Sequence, residues 1–258
     1  MDTSTAAPGP PGAPEQPGLP GTAPPPPPTV DRARLLTDAQ PYCLQHALAL
    51  AGPEALRLHG LPVGRAARTA DLQLITAEGP PLADLAGGLA EALRAAGHLV
   101  REAPGTARRA QLTVTAGPTA LGLELRREPL HHPPILPAGA PVPVTELTDT
   151  AALAVLTLCE RALPADLFAL YALTTRFREG ELLALASAFD EEFTARTLAD
   201  RLETAAALLP PWAPEPRQWA EAWAQDLRLD LLETTELADG LHDPYLDALD
   251  EEPPADDL

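Results

Sequence analysis

Asp71 opens the short apolar stretch "DLQLITA", and two positions further on stands Gln73. In an extended strand only residues two apart point to the same side. Positions 71 and 73 therefore have the spacing of a carboxylate pair that clamps a metal, with a neutral amide in the second place. A later stretch, "RAQLTVTAGPTALGLELRRE", alternates apolar and polar residues on either side of "AGPT", the pattern of a hairpin. Leu112, Val114, Leu123 and Leu125 would share one face, and Thr113, Glu124 and Arg126 the other. Three carboxylates converging from two neighbouring strands can hold two divalent ions about 4 Å apart, which orient a triphosphate and stabilise in-line displacement. Asp71 and Glu124 are the candidate catalytic and metal-binding carboxylates, and Gln73 is a candidate ligand through its amide oxygen. Mg²⁺ prefers charged oxygens, so Gln73 equally reads as a replacement that makes the site neutral. The plainer account of Asp71 and Glu124 is a pair of strand carboxylates facing water.

These residues need a scaffold, and the apolar spacing supplies one. "DRARLLTDAQPYCLQHALALAG" predicts a helix over 38–51, with Asp38 as a first-turn acid and Gly52 just past its end. After a Gly- and Arg-rich connection comes the strand "DLQLITA". "PPLADLAGGLAEALRAAG" reads as a helix that starts at proline and stops at Gly97. "HLVREA" and "PVPVTEL" are short extended segments flanking the hairpin. From Thr148 onward nearly every segment reads helical, to "HDPYLDALDEE" near the end. A helix and strand unit followed by helices is an α+β chain. The expected division is a Pro/Gly-rich arm over 1–30, an α+β domain over 31–147, a helical part over 148–249 and an acidic tail over 250–258.

Composition limits the partners. The arm is almost entirely Pro, Gly, Ala and Thr, too poor in apolar side chains to offset the entropy of ordering, so it is expected to be disordered. Neither a secretory signal nor an apolar run of about 20 residues that could span a membrane is present. The expected location is the cytoplasm. The net charge is −19, but residues 31–130 hold 11 Arg against 10 acids, and residues 131–258 hold 7 against 25. The acidic second half would repel a nucleic-acid backbone, so a polyanion would have to approach the first half. There is no lysine anywhere in the chain. Arg65, Arg68, Arg108, Arg109, Arg126 and Arg127 could gather into a phosphate- or RNA-binding face, or be scattered surface charge. Cys43 and Cys159 sit in apolar helical patterns and read as free thiols. His131 and His132 precede two prolines in a loop, and adjacent histidines make a poor metal pair. Trp212, Trp219 and Trp223 read as core residues, the last two sharing a helix face.

The stretches "ALAGPEALRLHG", "RTADLQL", "LGLELRREPL" and "VTELTDTAALAVLTLCERALPADLFALYAL" together resemble the AbiEii/AbiGii toxin family of nucleotidyltransferases, over about residues 38–190. The resemblance implies a polymerase-β-like nucleotidyltransferase fold, a mixed sheet with helices followed by a helical C-terminal part. It also implies NTP-dependent nucleotide transfer to RNA or protein in toxin–antitoxin or phage-defence systems, with Mg²⁺ as cofactor and a small antitoxin-like partner. By the same resemblance Gly52, Thr69 and Asp166 fall on the nucleotide-binding side, and Arg68 and Arg126 are candidate phosphate contacts beside them. Gly52 matches the first glycine of a Gly-Gly-Thr-Ala-Leu helix start, but Pro53 and Glu54 replace its next two residues. Pro53 removes an N–H donor and Glu54 adds negative charge where phosphate would lie. Thr69 and Asp71 match the strand motif, Gln73 replaces its second carboxylate, and Glu124 matches the third acid. Counting back from Arg161, the family's lysine falls on Ala154. Ala165 and Ala169 stand where the family has Arg and Asp, while Asp166 and Tyr171 match.

Apolar positions kept and polar ones lost point to a retained fold with transfer weakened or absent. One interaction that stabilises transition-state charge is worth about 10²- to 10³-fold in rate. The alternative is a non-catalytic binding or regulatory protein that uses the fold as a scaffold. A purely structural acidic helical protein is a third, and it predicts no sheet that unites Asp71 and Glu124.

Overall fold

The computed structural model describes residues 30–63 and 71–240. Residues 1–29 of the arm, the acidic tail and the segment "HDPYLDALDEE" lie outside the described residues, as do Arg65, Arg68 and Thr69.

Helix α1 (Arg32–Gln45) begins earlier than the periodicity predicts, because Asp31 caps it, accepting from the Arg34 N–H at 3.1 Å, and Asp38 falls in its middle rather than its first turn. It buries Leu35, Leu36, Ala39 and Cys43 and runs through Pro41. The apolar run that seemed to extend this helix is instead the edge strand β1 (Ala49–Ala51), an ambiguity that periodicity alone cannot resolve. Helix α2 (Gly52–Leu58) follows without a loop. Then come β2 (Leu72–Thr76), α3 (Leu82–Ala95), β3 (Leu99–Ala103), β4 (Arg109–Ala116) and β5 (Thr119–Arg127). The hairpin forms where the alternation places it, with Leu112 opposite Leu123 and Val114 opposite Leu121.

The five strands form one mixed sheet in the order β1-β2-β5-β4-β3. Only the β2–β5 pair among them is parallel. One face carries Leu72, Leu74, Leu112, Leu123 and Leu125, and packs on α1 and α3 through Leu35, Leu36, Leu85, Leu89 and Leu93. The opposite face carries the polar residues of interest.

Five helices complete the described chain: α4 (Leu147–Arg161), α5 (Pro164–Leu173), α6 (Glu179–Phe189), α7 (Ala195–Ala207) and α8 (Pro214–Gly240). They enclose a second core that includes Leu158, Leu170, Leu182, Leu198, Leu202 and Trp223, and α2 contributes Leu56 to it. Helix α4 also meets the polar face of the sheet, where Leu153 packs on Ile75 and Ala51. Trp223 is core as expected and Trp219 is half-buried, but Trp212 is 64 % exposed and stacked on Phe168. Cys43 is buried and Cys159 half-buried, and both thiols are free. Burial pushes the Cys43 thiol up to about 12 and the Cys159 thiol up to about 11, which makes both poor nucleophiles. Among the described residues no helix is long and apolar enough to cross a membrane.

Candidate functional site

The register of the sheet decides what meets on its polar face. Gln73 pairs across the strands with Glu124 on one side and Ala51 on the other. One step earlier, the exposed Asp71 accepts a hydrogen bond from the Gly122 N–H at 3.0 Å. A Cβ on Gly122 would fall on the Asp71 carboxylate, so glycine there leaves the space the acid occupies. Gln73 is buried, and its amide covers Gly52, the φ +66° residue that opens α2. Gln73 therefore lies between Gly52 and Glu124, and Asp71 lies beside Gly122 on the same face of the sheet.

What holds Glu124 is less expected. It is buried, and both carboxylate oxygens face arginines: Oε1 lies 2.7 Å from Arg109 Nε, and Oε2 lies 3.6 Å from an Arg161 terminal nitrogen. Arg109 also reaches Glu160 at 2.8 Å. Arg126 is buried and binds Glu128 at 2.8 Å and Glu160 at 2.7 Å. Burial alone would pull the Arg126 guanidinium down, but the charge of Glu160 and the hydrogen bonds to Glu128 and Glu160 outweigh it and hold it above its ordinary value. Arg161 is likewise raised, its burial outweighed chiefly by the hydrogen bond to Asp166. Asp166 is buried, pairs with Arg161, and accepts from the Leu163 N–H at 3.3 Å at the start of α5. With Arg108, which adds a bond to Glu128 at 3.0 Å, the result is a network of four arginines and four carboxylates that joins the sheet to α4 and α5.

This donor set does not fit a pair of magnesium ions. Guanidinium groups stand at both oxygens of Glu124, Gln73 supplies no charge, and one Asp71 oxygen is taken by a backbone N–H. Nor is a phosphate cradle built at α2. Glu54 is buried there and bound by Arg57 at 2.6 Å, and Pro53 lacks an N–H. Arg32 is drawn below its ordinary value by burial, an effect partly offset by the charges of Glu54 and Asp71. Ala154 and Ala169 lie buried in the helical core. Ala165 is half-buried.

A second cluster lies at the start of α4. Asp149 is fully buried and accepts from the backbone N–H groups of His131 and His132, both at 3.0 Å, while His132 Nδ1 lies 2.8 Å from its other oxygen. His132, Glu146 and Asp149 each offer a ligand atom within 4.8 Å of the others, so the histidine loop supplies a potential metal ligand that the adjacent pair did not suggest. Each already has a structural task, since Glu146 also caps α4 by accepting from the Thr148 N–H at 2.7 Å.

The hydrogen bond to Asp149 raises the His132 imidazole above its ordinary value, with the charges of Asp149 and Glu146 adding to it against desolvation. A raised pKa contributes stability that is full below the unfolded value of about 6.5 and is lost as pH rises through the folded value. The thermal midpoint is therefore expected to fall from about pH 6 to about pH 8, and to fall less in His132→Ala. Calorimetric scans of both proteins across that range check this; parallel curves would remove His132 as the cause.

Arg109 was legible as a member of the arginine-rich face, and its parity puts it on the same side as Thr113. Arg32, Glu160 and Asp149 had no distinguishing signal, because each owes its position to packing between distant elements. No known protein-family profile and no curated protein matches the chain. Solved structures do show a likeness. One is JHP933 from Helicobacter pylori, 15% identical, covering 81% of this chain and 96% of that one with a TM-score of 0.46. Another is MenT4, a nucleotidyltransferase toxin from Mycobacterium tuberculosis H37Rv, 18% identical, covering 76% of this chain and 81% of that one with a TM-score of 0.47.

Proposed function

We propose that this chain is an AbiEii-type nucleotidyltransferase relative in which nucleotide transfer is lost or greatly weakened. The observation that carries the reading is the pair of arginines on Glu124, where a catalytic acid would need free oxygens for metal. Asp71 and Glu124 are the remnants of the metal-binding carboxylates, and Gln73 is the neutralised member of the clamp. Gly52, Arg68, Thr69, Arg126 and Asp166 descend from the nucleotide side, but Arg126 and Asp166 now serve the ion network. On this reading the α+β part over 31–147 carries this face, and α4, which opens the helical part over 148–249, packs on it through Leu153. In an active relative the ligands would be an NTP with Mg²⁺, an RNA or protein acceptor, and an antitoxin-like partner.

A second reading, a non-catalytic binding protein built on the same scaffold, is favoured by the same network. Charged groups that satisfy each other across two cores rigidify a structure. Incubating the purified chain with labelled NTPs, Mg²⁺ or Mn²⁺ and total RNA is expected to give no more labelling than Asp71→Ala gives. Robust labelling that disappears in Asp71→Ala overturns the proposal. Calorimetry separates the two readings, since a pure scaffold shows no Mg²⁺-dependent NTP affinity in the micromolar range.

A further inference from the structure

The acidic excess of the second half acquires a location in the groove between α6 and α8. Its cavity of about 250 Å³ has an apolar floor that includes Leu183, Trp219, Trp223 and Leu227. Its rim carries Glu179, Asp226 and Asp230, and among the described residues no cation lines it. Trp219 is half-buried and donates its indole N–H to Glu179 at 2.9 Å, which fixes both side chains at the mouth. Asp226 and Asp230 are exposed and one turn apart on α8, so they project along the same edge. Arg228, between them in sequence, is committed elsewhere, to Asp200 at 2.9 Å and Glu203 at 2.8 Å on α7. Leu229, one turn on from Asp226, is 49 % exposed and continues the apolar strip beyond the rim.

An apolar floor with aromatic rings and an uncompensated acidic rim matches a cationic, partly apolar occupant. Guanidinium groups stack on tryptophan faces and pair with carboxylates at once. The chain's own outer segments do not supply one: residues 1–29 and 241–258 contain no arginine or lysine, and the latter are rich in acids. The one-turn spacing of Asp226 and Asp230 suits arginines one turn apart on a helix lying alongside α8.

We propose that the α6–α8 groove docks a basic amphipathic helix of a partner protein, whose arginines pair with Asp226 and Asp230 while its apolar side chains cover Trp219 and Leu229. This surface is independent of the candidate active site.

The test uses the full chain and a labelled 18-residue helical peptide with leucines on one face and arginines one turn apart beside them. Fluorescence anisotropy is expected to show saturable, roughly micromolar binding, weakened about tenfold or more by the double variant Asp226→Arg/Asp230→Arg. Asp84→Arg/Glu91→Arg on α3 changes the net charge equally and is expected to leave affinity within about twofold. Circular dichroism confirms that both variants fold. The proposal is overturned by absence of binding up to about 1 mM, a weak limit for specific association. Equal weakening by the two charge reversals overturns it in favour of diffuse attraction. Self-association of the chain that is lost in Asp226→Arg/Asp230→Arg overturns it in favour of a second copy.

Discussion

Asp149→Ala is expected to lower the unfolding free energy by about 3 kcal/mol, because hydrogen bonds to a charged group contribute roughly 1.5–3 kcal/mol each and three are lost together. The carboxylate is fully buried, accepts two successive backbone N–H groups, and binds the His132 ring. Removing it leaves those N–H groups without their acceptor and frees the loop that leads into α4. Relief of the cost of burying the charge offsets part of the loss, which keeps the estimate below the sum of the bonds. Asp149→Asn keeps the shape and one acceptor oxygen, so its loss is expected to be about half as large. Urea denaturation of the three proteins at one pH measures this, and a loss below about 1 kcal/mol for Asp149→Ala would show that the loop is held by other means.

Gly52→Ala is expected to cost about 2–3 kcal/mol from two separable sources, strain in the left-handed region and a steric conflict. The residue has φ +66°, a conformation that an L side chain adopts at a cost of roughly 1–2 kcal/mol. The added Cβ would also stand 2.7 Å from Gln73 Oε1 and 3.0 Å from its Cδ, and the buried amide has little room to give. Shortening the obstacle in Gly52→Ala/Gln73→Ala removes the conflict and leaves the strain. A double-mutant cycle is thus expected to show a favourable coupling of about 1 kcal/mol between the two substitutions. A coupling near zero would place the whole cost in the backbone. Gly52 is therefore required by the fold as it stands, whether or not it ever approaches a phosphate.

The parts of this arrangement that follow a local period were readable beforehand. Leu112, Val114, Leu123 and Leu125 share one buried face because alternation in a strand is a property of the backbone itself. Glu124 falls opposite Gln73 for the same reason, once β2 and β5 pair. The error at α1 arose where two signals overlap, since Leu48 to Ala51 is apolar enough to continue a helix and short enough to be a strand. Of the two partners of Glu124, Arg161 was beyond reach because it lies at the far end of α4, and only tertiary packing brings it over the sheet. Asp149 looks like any first-turn helix acid until the loop holding His131 and His132 folds back on it. Trp212 went the other way, since an aromatic in an apolar run gives no hint that one face will remain open.

Leu56 sits on α2, a helix that emerges directly from β1, yet it is wholly enclosed by side chains of the later helices. Leu61 and Val63, just after α2, join the same core. The boundary drawn along the chain near residue 147 is therefore crossed by shared packing. Loss of the later helices would strip three apolar side chains of the first part, and loss of the first part would leave a matching hollow in the helical core. The two cores are therefore expected to unfold as one unit, with the parts that a gene could separate melting together.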